Sequence, residues 1–400
     1  MTSPDTAVAS SPPPASASFS AVLRPLLPFV WMVFAVFLCI GMLLGVLPAH
    51  VHGALGFGAF WVGLAIGLQS FAALATRAYG GALTDTRGPR RSLLQGLLIG
   101  SASGLVLWTS SFTFFPPVAA FGLLLAGRVL LGFAESLVIT GVLTWAIQAV
   151  GVQHSGKVMA WNGIAMYGGL ALGAPAGAWL AGQGGLSVVA WAVVILPLLA
   201  LPFALWRDGP APSGVARMPF YRVLGLVWLP GAGLALGAVG FSVIASFVAL
   251  LFAERGWANA PACVTLFGAS YIGARLFVAH WPDRYGGARI ARYSLLVELL
   301  GQLLLWRADA PWQAFAGAAL TGLGFSLVFP SFGVEAVRAV PAERRGSALG
   351  GYVAFFDLAL GVVAPIAGLV AAGFGYPAVF LCGAFCCLAA ILVAARLGTR

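Results

Sequence analysis

The sequence predicts an all-α polytopic membrane protein, with twelve spanning helices arranged as two pseudo-symmetric six-helix halves. Three observations lead there. Of 400 residues, 61% are hydrophobic and 8% are charged, against roughly 25% charged in an ordinary soluble domain. With 21 basic and 11 acidic side chains, the chain has too few charges to clothe a water-soluble surface, and its mean hydropathy of +0.99 is too high for disorder. Apolar runs of spanning length recur from end to end. The basic residues fall almost entirely between alternate pairs of runs.

The elements follow in order. Residues 1–22 are a tail, rich in Ser, Pro and Ala with the single charge Asp5, and are expected to be flexible. The tail lacks the basic-then-apolar order of a secretory leader. Helices are expected near 26–48, 57–80, 92–111, 117–149, 158–182, 186–206, 224–252, 259–281, 290–307, 312–338, 346–373 and 376–395. A spanning helix needs about 20 apolar residues, and the longer runs allow tilt or an extra turn. Barrel strands would alternate over stretches of about ten residues instead. The domains are then an N-terminal half over 23–206, a linker over 207–222 and a C-terminal half over 223–400.

The charges give the orientation. Segments that an even number of helices places on one side carry Arg24; Arg87, Arg90 and Arg91; Lys157; Arg207, Arg217 and Arg222; Arg284, Arg289 and Arg292; Arg338, Arg344 and Arg345; and Arg396 and Arg400. The opposite loops carry Arg255 and Arg307. Basic residues collect on the cytoplasmic side, so both termini are expected in the cytoplasm. The net charge of +10 is thus a topology signal, dispersed over many loops, and does not indicate a nucleic-acid partner. The five cysteines sit in or beside apolar runs, and neither a metal site nor a cofactor motif is indicated. The ATP-binding GxxxxGK[ST] loop does not occur. The chain is read as a non-enzyme.

The chain also repeats itself. RAYGGALTDTRGPRR at 77–91 returns as RLFVAHWPDRYGGAR at 275–289. At one constant offset Arg77 matches Arg275, Asp85 matches Asp283, Gly88 matches Gly286 and Arg91 matches Arg289. A second echo links Leu170–Gly173 and Ala174-Pro175 with Leu358–Gly361 and Ala364-Pro365. Parallel six-helix repeats suit a transporter that rocks one half against the other.

Gly81-Ala82-Leu83-Thr84-Asp85-Thr86-Arg87-Gly88-Pro89-Arg90-Arg91 resembles the signature between spans two and three of the major facilitator superfamily, and Gly127-Arg128 with Gly132 resembles its span-four arginine motif. Gly169, Gly173, Pro175 and Gly177 resemble the span-five motif of its proton antiporters, with Ala174 standing where that motif has proline directly after glycine. Residues 324–330, 345–350 and 356–361 resemble the YhhS/YfcJ-type group of bacterial efflux permeases. These resemblances imply the major facilitator fold and a secondary transporter. They also imply a cytoplasmic latch in which Asp85 engages the start of span eleven, capped by Ser347, with Arg77, Arg90 and Arg91 around it and Gly81 and Gly88 shaping it. Asp283, Arg275, Gly286 and Arg289 would form the partner latch. The other reading is that the arginines act only on topology.

Charges inside spans carry the remaining information, because each costs about 2.5–3.5 kcal/mol at the bilayer centre on insertion scales. Arg128 and Glu135 lie two turns apart on one stripe of span four, about 10 Å along the axis. The stripe either faces a polar cavity or forms buried ion pairs. Asp357 lies about 16 Å into span eleven, beside Tyr352 and Phe356; it is a proton-carrier candidate or a structural hydrogen-bonding group. Glu335 completes the proton-coupling candidates, with an interfacial pair to Arg338 the favoured reading. Glu298 is read as packing or snorkelling. Gly169, Gly173 and Gly177 give a smooth helix face, with Pro175 as a bend, suited either to a hinge or to tight packing. Trp31, Asn162, Met166, Tyr167, Phe241, Ser242, Tyr352 and Phe356 are candidate cavity walls.

The expected function is secondary transport of a small organic solute by alternating access in the cytoplasmic membrane of a bacterium, as proton-coupled efflux. Proton symport or facilitated uptake is the nearer alternative, and a non-transporting receptor on the same scaffold the more distant one. The expected partners are the solute, protons and the lipid bilayer, with the protein a monomer.

Overall fold

The computed structural model describes residues 19–151, 154–206, 208–210, 212, 220–338, 340 and 345–398. Asp5, Arg207, Arg217, Glu343, Arg344, Arg400 and most of the expected linker lie outside that set, as does the side chain of Ser347. Among the described residues every regular element is helical. The order is α1 (Phe19–Ala49), a π-helical turn (His50–Ala54), α2 (Ala59–Arg87), α3 (Pro89–Ser110), α4 (Pro117–Val150), α5 (Ser155–Leu205), α6 (Phe220–Glu254), α7 (Pro261–Val278), α8 (Trp281–Tyr285), α9 (Gly287–Trp306), α10 (Pro311–Arg338), α11 (Arg345–Phe374) and α12 (Tyr376–Gly398).

Ten of these helices are long and apolar enough to cross a membrane. Two adjustments give twelve crossings. α5 is 51 residues long and breaks at Gly184 and Gly185, so it holds spans five and six. α9 is the twelfth, an apolar helix that carries three charges, Arg289, Arg292 and Glu298. The short α8 lies between the eighth and ninth spans.

Helix ends follow the backbone chemistry. Proline opens α3, α4 and α7, where its missing N–H is not needed. The segment 81–87, expected as loop, is a correction: α2 continues through Arg87, and Gly88 alone joins it to α3. Gly88 has φ +88° and Gly286, its repeat partner, φ +91°. This region of backbone space is nearly closed to residues with a Cβ, so glycine lets the chain reverse in one residue. Nothing in the sequence Ala82–Arg87 stops a helix before that glycine.

Between apolar helices in lipid, hydrophobic burial gives little preference, and close packing of small residues brings backbones together. The glycine face of α5 does this against α1. A Cβ on Gly169 would meet the Leu38 amide at 2.8 Å, one on Gly173 the Leu38 carbonyl at 2.6 Å, and one on Gly177 the Met42 carbonyl. The two halves meet in the same way. α2 crosses α11 where Gly67 faces the Gly361 carbonyl at 2.6 Å from its would-be Cβ, with Gly63 against Ala364 and Gly368 against Ala59 alongside. α7 crosses α5 where Gly268 faces the Tyr167 carbonyl at 2.8 Å, and Thr265 donates to the Ala171 carbonyl at 2.8 Å. These two crossings are the repeat-related copies of one contact.

Candidate functional site

A cavity of about 560 Å³, including its open part, lies between the two crossings. Both halves line it: Phe37, Ile40 and Leu44 from α1, Ile66, Gln69 and Ser70 from α2, Arg128 and Glu135 from α4, Met166, Tyr167 and Leu170 from α5, Phe241, Ser242 and Ala245 from α6, and Phe356 and Leu360 from α11. The mix of apolar walls with few polar groups is that of a small-molecule site.

The polar groups are fixed from the backbone outward. Gly132 on α4 lies directly against the Gln69 carbonyl of α2. That close approach lets Arg128 reach α2: its Nε donates to the Ala65 carbonyl at 2.9 Å and one Nη to the Ile66 carbonyl at 3.2 Å. Helical carbonyls keep a second lone pair for such bonds. The other Nη of Arg128 is buried with no partner. Gln69 Nε2 donates to Glu135 Oε2 at 2.9 Å, and both side chains are buried. Arg128 and Glu135 are therefore anchored separately, both on the cavity wall and not as an ion pair.

Asp357 is 3% exposed. Arg77 Nε donates to its Oδ2 at 2.8 Å, and an Nη of Arg77 bonds the same oxygen. This pair joins α2 of one half to α11 of the other. Arg77 stands two turns past Ser70 towards the Gly88 turn, so the clasp sits at the edge of the cavity on the basic end of the bundle. Sequence reading put Arg77 in the latch and Asp357 among the proton candidates; the structure brings the two together.

The other expected site residues separate into several places. Met166, Phe241 and Phe356 line the cavity, as do Tyr167 and Ser242. Trp31, Asn162 and Tyr352 are absent from that lining. Tyr352 is fully buried and donates to the Phe329 carbonyl at 2.6 Å. Asn162 contacts the Met166 sulfur at 3.2 Å. Arg90 caps the end of α5, with bonds to the Ala204 and Leu205 carbonyls at 3.1 and 2.8 Å. Glu335 accepts the Ala288 amide of α9 at 3.1 Å and pairs with Arg338 at 3.2 Å. Gly81 is buried, Asp85 is half-buried, and Arg91, Asp283 and Arg289 are exposed. Arg275 donates to the Ser326 carbonyl at 3.0 Å. Glu298 does not snorkel: it is fully buried and both carboxyl oxygens lack a hydrogen-bond partner, because α9 turns this face inward onto Gly240 and Gly324.

Gln69 was missed by sequence reading. Its signal was present as a lone amide within the apolar second span, four residues before Ala73 and one before Ser70. It is the residue that holds Glu135.

Known proteins align with this architecture over nearly its whole length. The family model described as Major Facilitator Superfamily matches residues 29–264 and 231–400. An uncharacterised MFS-type transporter of Salmonella typhimurium is 46% identical over 355 residues, 89% of this chain and 92% of its own. One of Pseudomonas aeruginosa is 47% identical over 383 residues, covering 95% of this chain and 94% of its own. Among solved structures, the human organic anion transporter MFSD10 has a TM-score of 0.70 at 18% identity, covering 93% of this chain and 99% of its own. A D-xylose-proton symporter has a TM-score of 0.71 at 17% identity, covering 96% and 97%. At those identities the likeness is one of fold.

Proposed function

The chain belongs to the major facilitator superfamily, and from that premise we propose that it exports a small organic solute across the bacterial cytoplasmic membrane in exchange for protons, with both termini in the cytoplasm. One observation carries the coupling: Asp357 and Arg77 form a buried ion pair between the two halves, at the edge of the cavity they enclose. Removing one charge of such a pair leaves the other uncompensated at a cost of about 3–5 kcal/mol. A proton on Asp357 and a change in the relation of the halves are therefore coupled events.

The cycle follows. With Asp357 ionised, Arg77 clasps α2 to α11 and the basic, cytoplasmic end is held shut. Protons entering from outside reach Glu135 in the cavity, beside Gln69, and then neutralise Asp357 at its cytoplasmic edge. The clasp releases, the cytoplasmic end opens, and solute binds as protons leave. Each charge moved through the potential supplies about 2.3 kcal/mol per 100 mV. The export direction is supported by the glycine and proline pattern of α5 and by the resemblance to the efflux group.

The test is flux in proteoliposomes. A solute panel is screened by thermal stabilisation, and a stabilising solute is then followed in labelled form under an imposed pH gradient. Wild type should move it against its gradient, whereas Asp357→Asn should retain exchange down a gradient and lose proton-driven accumulation at least tenfold. Full proton-driven transport by Asp357→Asn overturns the reading.

A further inference from the structure

The repeat makes a prediction that the chain breaks in one place. Arg77 and Arg275 are counterparts, each on a helix that crosses into the other half. Their crossing partners also correspond. Aligning Ala364-Pro365 on α11 with Ala174-Pro175 on α5, two residues off the Leu-Ala-Leu-Gly echo, sets Leu360 against Leu170, both of which line the cavity, and agrees with the crossing contacts of Gly67 on Gly361 and Thr265 on Ala171. In that register the position of Asp357 on α11 is taken by Tyr167 on α5. Arg77 has an internal carboxylate across the interface; Arg275 faces a phenol.

The surroundings of Arg275 show the same asymmetry in contacts. Its guanidinium lies over the Tyr271 ring, 5.6 Å from the centroid, and Tyr271 stacks on Tyr167 at 3.8 Å. The space above Gly163 of α5 is bounded by an Arg275 Nη at 3.3 Å and the Tyr271 hydroxyl at 3.6 Å from the would-be Cβ. Arg275 Nε is buried without a partner. One Nη bonds the Ser326 carbonyl, and among the described residues no carboxylate pairs with this cation. A half-buried cation with an unused N–H and a missing counter-charge is costly to keep. A planar guanidinium with free donors matches a carboxylate or phosphate-type group.

We propose that Arg275, with the Tyr271 hydroxyl, forms an oxyanion subsite beside the cavity that binds the acidic group of the transported solute. The aromatic stack of Tyr271 on Tyr167 connects the subsite to the cavity wall, so the solute is an organic acid with an apolar body. The ligand's own carboxylate supplies at Arg275 what Asp357 supplies at Arg77. The inference rests on the transport reading only in taking the ligand to be a solute, since binding at one fixed pH needs no proton coupling.

The experiment measures binding to the full-length protein in neutral detergent at pH 7.5, by thermal shift and by tryptophan fluorescence. The probes are benzoate, phenylphosphonate and, as the uncharged control, benzamide. The variants are Arg275→Gln, Arg275→Lys and Arg255→Gln. Benzoate or phenylphosphonate should stabilise wild type and Arg255→Gln alike. Affinity should fall at least tenfold in Arg275→Gln and less in Arg275→Lys, with no comparable effect of benzamide. An unfolded Arg275→Gln leaves the decision to Arg275→Lys, whose affinity must then fall below that of wild type. Equal binding by the Arg275 variants, equal stabilisation by benzamide, or no binding of either acid to wild type overturns the proposal. A parallel arm adds phosphatidylglycerol micelles; stabilisation by the lipid with none from the soluble acids assigns the subsite to a lipid headgroup and also overturns it.

Discussion

Asp357 is buried at the meeting of two halves, and among the described residues its one counter-ion comes from the other half. In the proposed cycle that arrangement ties charge state to conformation. The pair is also sensitive to substitution. Arg77→Gln leaves a buried carboxylate unpaired, which should cost about 3–5 kcal/mol while the acid is charged. A proton can replace the lost cation, so the loss in melting temperature should be larger at pH 8 than at pH 5. Adding Asp357→Asn to Arg77→Gln should recover most of it. Equal losses at both pH values, or no recovery in the double variant, would show that the pair is a packing contact alone. Glu135→Gln tests the second acid. It keeps an oxygen to accept from Gln69 Nε2 and removes the titratable carboxyl, so folding should be unchanged while proton-driven flux in proteoliposomes falls. Depth in a span was enough to mark Arg128, Glu135 and Asp357 on the sequence. The Arg77–Asp357 partnership was not legible, because it depends on how far a long side chain reaches across two helices 280 residues apart.

At the scale of the helix, glycine spacing decides how closely backbones approach. α5 offers a direct comparison on one element. A Cβ on Gly173 would meet the Leu38 carbonyl at 2.6 Å, whereas nothing lies within 4 Å of one on Gly182. Alanine favours a helix over glycine by about 0.8–1.0 kcal/mol, and forcing atoms into a packed contact costs about 1–3 kcal/mol. Gly182→Ala should therefore leave the melting temperature level or raised, and Gly173→Ala should lower it, as read by thermal denaturation in detergent. If Gly173→Ala is as stable as wild type, α1 and α5 do not pack as described. The helices themselves were readable from apolar runs and prolines, and the break in α5 from Gly184-Gly185. The continuation of α2 to Arg87 was not, because Thr84, Asp85 and Thr86 suggest a loop by composition alone. What they do instead is local: Thr84 and Thr86 turn their hydroxyls back onto the carbonyls four residues earlier, at 2.8 and 2.7 Å.

For the molecule as a whole, duplication supplies two copies of one inter-half crossing, and divergence gives them different chemistry. The α2–α11 copy has an ion pair; the α5–α7 copy has stacked tyrosines beneath an arginine. The twelve crossings and the two halves were legible because hydropathy and basic residues are distributed along the whole chain. The cavity was legible only in part, since residues such as Leu44 and Leu360 differ from ordinary packing leucines by position and by nothing in their chemistry. Orientation is tested by labelling single cysteines in a chain whose five native cysteines are replaced. Arg255→Cys should react with an impermeant maleimide in intact cells, and Arg87→Cys only after permeabilisation; the reverse pattern would invert the topology. The clasp is tested most directly by electron–electron spin distances between labels at Thr86→Cys and Arg284→Cys, exposed positions at the basic end of the two halves. In wild type the distribution should lengthen from pH 8 to pH 5 as Arg77 is released. With Asp357→Asn it should be long at both. A pH shift that survives unchanged in Asp357→Asn would mean that protons act on the halves through some other group.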